Sequence, residues 1–400
     1  MNEEYQVFGA RPERQGGGEL SHSRAMYLGY FLALGALLPY INLYYGRMGL
    51  SGIQIGTLAA LPVLVASLAT LLWGGVADRF TWHDGILRMA LLVCPISVFT
   101  LSKANSFAAL IPIVVLYALF NSPILPILDS AALEAARTYR DTYGNLRVWG
   151  TIGWSVSTLA VGALIEKFNI TWFVYSYIVF ILFTFLLSLR QSTRMPPLRF
   201  PVRQGLNQLL SPYFFIFLLS IFLLTMTSGA FHAFFSIYLD GINAKESLIG
   251  LAWTLASLSE IPIMLRSGYI IEKISAGGLL KISFLAYALR WLLLSLISTP
   301  LWALLTQLLH GLSFAAFLVG GVTYIYELAP EGLNTTAQSI FNSVSFGLAS
   351  IAGSLLGGYF YDALGMPPMF RFISLIAIIA FFVFYLSDKS RAKATGERRA

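Results

Sequence analysis

Two short stretches decide how this chain folds: Gly74-Gly75-Val76-Ala77-Asp78-Arg79 and Gly268-Tyr269-Ile270-Ile271-Glu272-Lys273. Each reads glycine, three spacer residues, an acid, a base. They lie 194 residues apart, and so do the pairs Ile55-Gly56 and Ile249-Gly250. A third pair, Gly162 with Glu166 and Gly358 with Asp362, repeats at an offset of 196. Three features at nearly one offset mean an internal duplication.

The solvent of the duplicated unit follows from composition. Hydrophobic residues make up 57% of the chain and charged residues 11%, against about 25% charged in ordinary soluble domains. A soluble protein of 400 residues could not hide that much apolar surface, so lipid must surround most of it. About twelve apolar segments approach the ~20 residues that a spanning helix needs. Their cores fall near 25–45, 52–75, 86–103, 107–128, 148–165, 171–189, 213–238, 248–268, 277–297, 300–325, 336–358 and 370–387. The expected class is an all-α membrane protein of two pseudo-symmetric six-helix halves. The halves are residues 25–189 and 212–387, with a tail at 1–24, a linker at 190–211 and a basic tail at 388–400. The linker carries Pro196, Pro197 and Pro201 and four arginines, which make a spanning segment there untenable. Ser51-Gly52-Ile53-Gln54 reads as a capping box opening the second helix.

Charge sets the expected orientation. Placing the N-terminus in the cytoplasm puts 19 Lys and Arg on that side and 5 (Arg47, Lys103, Lys167, Lys245 and Arg371) on the other. Such a bias predicts both termini, the linker and the tails inside, and it accounts for the net charge of +7 without nucleic acid. The basic C-terminal tail suits anionic lipid. The short loops point to a prokaryotic inner membrane.

The remaining classes are excluded by what is missing. A single cysteine, Cys94, allows no intramolecular disulfide and no multi-cysteine metal site. His22, His83, His232 and His310 have no metal-ligand spacing. There is no phosphate-binding Gly-x-x-x-x-Gly-Lys-Ser/Thr loop, no His-Glu-x-x-His and no Gly-x-Ser-x-Gly. Neither ATP-driven transport nor an enzyme is encoded, and no cofactor is expected. A duplicated apolar chain of this kind points to a transporter with a solute site near the bilayer midplane.

These features resemble the major facilitator superfamily, whose signature is similar to Gly74-x-x-x-Asp78-Arg79 and its second-half copy. The paired basic residues that usually follow are degenerate here: Thr81 and Trp82 come next, then Arg88. Two further segments narrow the resemblance to the lactose permease and phenylpropionic acid transporter group. Asp141-Thr142-Tyr143-Gly144-Asn145-Leu146-Arg147-Val148-Trp149-Gly150-Thr151-Ile152-Gly153-Trp154 looks like the start of its helix five. Ser122-Pro123-Ile124-Leu125-Pro126-Ile127-Leu128-Asp129 looks like its helix-four motif. Glu260, Arg290-Trp291 and Leu309-His310 fall where those relatives carry a glutamate, an arginine and a histidine. The resemblance implies a major facilitator fold, proton symport of a small organic solute and a monomer.

Ionisable groups inside a membrane are costly and are therefore functional candidates. Asp129, Arg147, Trp154 and His232 are expected to contact solute. An acid–arginine pair across helices four and five offers charge-assisted bonds to hydroxyls, and an indole covers a sugar's apolar face or an aromatic ring. The same pair could instead be a salt bridge tying two helices. Arg147 alone could hold a carboxylate, so sugars, nucleosides and aromatic monocarboxylates all stay open. His232 could line the cavity or simply pack.

Glu260, Arg290 and His310 form the expected proton-coupling cluster, with a static network as the alternative. Desolvation favours the protonated acid and a nearby guanidinium the ionised one, so substrate or helix movement can switch Glu260. The permease's further charges are absent, because Ser313 and Gln307 stand in their places. Facilitated diffusion and drug or metabolite efflux therefore remain the competing readings, with a non-transporting sensor more remote. Gly74, Asp78, Arg79, Gly268, Glu272 and Lys273 are expected to form a conformational latch when the cytoplasmic side closes. The glycines of helices five and eleven suit surfaces where the halves slide.

Overall fold

The computed structural model describes residues 16–80, 82–190, 211–330 and 332–394. Twelve helical spans follow one another among these residues: α1 Gly16–Arg47, α2 Gly52–Phe80, α3 His83–Leu101, α4 Phe107–Tyr139, α5 Tyr143–Lys167, α6 Trp172–Ser188, α7 Pro212–Gly241, α8 Glu246–Leu265, α9 Ser267–Leu296, α10 Pro300–Leu328, α11 Asn334–Leu364 and α12 Met366–Ala394. Eleven are long and apolar enough to cross a membrane, and α6 is a shorter apolar helix. No strand occurs among the described residues.

Helix starts follow local chemistry. Ser51 and Gln54 form the expected reciprocal cap on α2: the Ser51 amide donates to Gln54 Oε1 at 3.0 Å and the Gln54 amide to Ser51 Oγ at 3.3 Å. Thr142 caps α5 by accepting from the Asn145 amide. Ser122-Pro123 breaks α4, because proline removes a ladder donor.

Three boundaries differ from expectation. α1 starts at Gly16, inside the stretch read as tail, where Arg24 pairs with Asp141 at 2.8 Å. α12 runs on to Ala394, because Asp388 is buried between Lys281 Nζ at 2.7 Å and the Tyr324 hydroxyl at 3.0 Å. Both signature copies are helical rather than loops. Gly74–Arg79 ends α2, and Gly268–Lys273 forms the first part of α9, before a kink at Ser275 (φ 63°, ψ 164°). The Ser275 hydroxyl caps the second part by accepting from the Gly278 amide. Of the expected linker at 190–211, residues 191–210 lie outside the described residues.

Packing alternates between neighbours and two crossings. α1 packs on α5 and α6, α3 on α4 and α6, and α2 on α4. In the same way α7 packs on α11 and α12, and α9 on α12 and α10. The main crossings between these groups are α2 on α11 and α5 on α8.

At one end the crossings are backbone-tight, with matched partners. A Cβ on Gly56 would lie 2.3 Å from the Ser354 carbonyl oxygen, and one on Gly250 2.1 Å from that of Thr158. Likewise Gly358 faces the Gly52 carbonyl and Gly162 that of Glu246. Asp362 accepts from the Gly52 and Ile53 amides at 2.5 and 2.8 Å, capping α2 from α11. Glu166 contacts Lys245 at 3.0 Å, and Arg47 bridges Asp240 and Glu246 at 2.6 and 2.8 Å. The glycines that the duplication singled out thus hold one end of the bundle shut. Gly153 and Gly353 serve differently from expectation. They bring α5 against the Leu28 carbonyl of α1 and α11 against the Met226 carbonyl of α7.

At the other end the signature glycines Gly74 and Gly268 face open space: a Cβ added to either would meet nothing within 4 Å. Arg79 lies over Phe80 and Lys273 over Tyr269, each within its own helix. Glu272 is exposed, and the Asp78 side chain lies outside what is described. Among the described residues no ion pair joins the two signature copies.

Candidate functional site: a cavity between the helix groups

Between the crossings lies a cavity of about 680 Å³. Arg147 and Trp154 of α5, His232 of α7, Glu260 of α8 and His310 of α10 all line it. Five of the seven expected midplane residues therefore share one space. The 3.6-residue period accounts for part of this, since Arg147 and Trp154 are two turns apart on one face of α5. Arg290 sits behind His310 and is fully buried.

The α8–α10 side forms a linear relay. Arg290 Nη1 donates to His310 Nδ1 at 2.7 Å, and His310 Nε2 lies 3.1 Å from Glu260 Oε1. Arginine has only donors, so Nδ1 must be the accepting nitrogen. The imidazole is then neutral, and Nε2–H donates to the carboxylate. Arg290 Nη2 also donates to Gln307 Oε1. Its guanidinium stacks 4.5 Å from the Phe231 ring centre and 5.0 Å from that of Trp291. Arg290 makes no direct ion pair among the described residues. Its charge meets Glu260 through the histidine.

An irregularity in α10 makes the relay possible. A 3₁₀ turn at Thr306–Leu308 precedes His310, and a π segment at Gly311–Ala315 follows it. The Gly311 amide donates to Ser259 Oγ at 2.9 Å, and a Cβ on Gly311 would lie 2.0 Å from the Ser259 carbonyl oxygen. This close approach brings His310 within reach of Glu260, the residue after Ser259. Such π segments gather at functional sites.

The α5 side is organised differently from the expected pair. Asp129 and Arg147 form no ion pair. Asp129 Oδ1 accepts from the Tyr27 and Tyr143 hydroxyls at 2.5 and 3.0 Å, and it does not line the cavity. Arg147 lies over the ring faces of Phe31 and Tyr27, 4.2 and 5.8 Å from their centres. The tyrosines intervene because α4 approaches α1 as well as α5, and nothing in sequence spacing reveals that.

Trp253, Tyr30 and Asn121 also line the cavity and had no signal in the sequence. Trp253 meets Trp154 edge-on across the cavity at 6.4 Å and 82°, and donates its indole N–H to Ser236. His232 stands beside Trp253, its Nδ1 2.7 Å from the Ser228 carbonyl oxygen, which leaves Nε2 as an acceptor. Tyr30 donates to Asn121 at 3.2 Å at the cavity edge. Trp253 is offset by 194 from Ala59 and so had no duplicated partner to mark it. Among the described residues no group of His, Cys, Asp and Glu could hold a metal ion.

Comparison with known proteins places this architecture. The MFS_1 like family model matches residues 21–372. A maltose permease of Geobacillus stearothermophilus is 30% identical over 383 residues, covering 93% of this chain and 95% of that protein. An Escherichia coli (strain K12) protein described as "Probable 3-phenylpropionic acid transporter" is 25% identical over 368 residues, covering 89% of this chain and 95% of its own. In three dimensions the crystal structure of nucleoside transporter NupG superposes with a TM-score of 0.78. It shares 16% identity and covers 93% of this chain and 99% of its own, a likeness of fold. Family match, relatives and fold agree: this chain belongs to the MFS_1 like family, and it is a multi-pass membrane transporter of the major facilitator superfamily and not an enzyme.

Proposed function

We propose that the protein is a proton-coupled importer of a small organic solute, a sugar or oligosaccharide, nucleoside or aromatic monocarboxylate, working by alternating access as a monomer in a prokaryotic inner membrane. Residues 25–189 and 212–387 act as two six-helix halves that rock about the cavity. With both termini cytoplasmic, the shut end faces outward and the signature glycines, each facing open space, lie on the cytoplasmic side, an inward-open state.

The observation that carries this function is the Arg290–His310–Glu260 relay ending at the cavity wall. Its carboxylate lines the cavity, where a solute can reach it, and is joined to the buried arginine through His310. With Glu260 ionised, the relay balances Arg290. A proton on Glu260 removes that balance. The protonated state then depends on which groups a bound solute presents, and that dependence is coupling. Arg147, Trp154 and His232 supply a cation, an apolar face and an acceptor for the solute. The relatives' names, maltose and 3-phenylpropionic acid, fit a site that offers both hydrogen bonds and aromatic faces.

Purified protein in proteoliposomes, given maltose, uridine and 3-phenylpropionate in turn with an entrapped pH dye, tests this directly. One solute should drive proton uptake in the parent and not in Glu260→Gln. Labelled solute that equilibrates without moving protons would leave a facilitator and end the symport proposal.

A further inference from the structure

We infer that Asp129 is a positioning residue for Arg147, acting through the Tyr27 ring, rather than a group that touches the solute. Arg147 as a solute contact rests on the proposed function; the geometry that positions it does not.

The guanidinium is held by aromatic faces. It has no hydrogen bond or ion pair to another described residue. One face lies on Phe31 and, farther off, on Tyr27, whose rings are themselves stacked at 6.3 Å and 27°. Beside it Gly150 leaves a notch: a Cβ there would lie 2.6 Å from Arg147 Nη1 and 2.8 Å from Phe31 Cδ2. A guanidinium stacked this way keeps its N–H edges free for a planar or multidentate acceptor.

The cradle needs its own anchor, and Tyr27 has one. Its ring is 1% exposed and belongs to a small cluster with Ala132, Ala135, Ala136 and Leu146, whose side chains offer it no hydrogen-bond partner. Its hydroxyl is fixed by Asp129, which Tyr143 fixes in turn. Arg147 and Phe31 line the cavity, whereas Tyr27 and Asp129 do not. An acceptor oxygen at residue 129 therefore sets the ring, and the ring sets the cation. Asparagine supplies such an oxygen and alanine does not.

The test is the rate at which phenylglyoxal, an arginine-selective dicarbonyl, modifies Arg147 in the full-length protein, read by peptide mass spectrometry. Asp129→Ala and Tyr27→Phe should each raise the rate severalfold, and Asp129→Asn should keep the parent rate. Tyr27→Phe keeps the ring and the packing, so it remains informative if Asp129→Ala does not fold. Parent rates in both Asp129→Ala and Tyr27→Phe overturn the inference. A rate raised as much by Asp129→Asn as by Asp129→Ala also overturns it, because charge rather than hydrogen-bond acceptance would then be acting. No solute is needed, so failure of the transport proposal leaves this outcome readable.

Discussion

At the scale of single residues, the site is built from charges whose compensation is indirect. Arg290 is buried without a carboxylate against it, and Gln307 and His310 share the burden. Gln307→Leu keeps the volume but removes an acceptor from a buried cation, and should cost about 1.5–3 kcal/mol. The thermal unfolding midpoint checks this; an unchanged midpoint would remove Gln307 from the network. Trp154 faces Trp253 across the cavity. Trp154→Ala should raise the KM for transported solute roughly tenfold, equivalent to about 1.4 kcal/mol, with kcat little changed. A KM equal to that of the parent would reduce Trp154 to packing.

At the scale of helices, glycines and caps decide which end is shut. Alanine at both Gly56 and Gly250 sets a methyl against backbone oxygens at 2.3 and 2.1 Å. Backbone cannot rotate out of the way as a side chain can, so the crossings must separate. Spin labels on cysteines at Met48 and Leu364, in a Cys94→Ala background, should report a longer distance in this double variant. An unmoved distance would mean the crossings do not control that end. The α1–α5 tie has a different sensitivity. The Asn145 side chain and the Thr142 amide, with Arg24, hold the Asp141 carboxyl below its usual range. A depressed carboxyl contributes stability above its unfolded value, near pH 4, and loses it as pH falls through the folded one. Acidification below about pH 4 should therefore lower the midpoint of the parent more steeply than that of Asp141→Asn. Parallel curves would refute the tie.

At the scale of the whole molecule, the expected motion is reciprocal. Labels at Arg79 and Lys273, both exposed, should approach when solute and acid are supplied, while the Met48–Leu364 distance grows. Approach at one end without separation at the other would rule out rocking about a central cavity. The duplication explains why both crossings at the shut end use similar parts. Gly56 on Ser354 and Gly250 on Thr158 are one contact made twice, so one motion would open both crossings together.

The lipid solvent was legible in composition alone, and the long apolar helices with it: about twelve expected, eleven found long enough to cross and one shorter, because lipid demands long apolar helices. The sequence also marked Arg147, Trp154, His232, Glu260 and His310, since charge and polarity inside a membrane are too costly to be incidental. Which side chains meet came from packing. The relay needed the irregular turn around His310 and the close approach at Gly311, and the Asp129–Arg147 pair gave way to two tyrosines. Those outcomes depend on helix rotation and crossing distance, which packing between remote segments sets and local spacing does not encode.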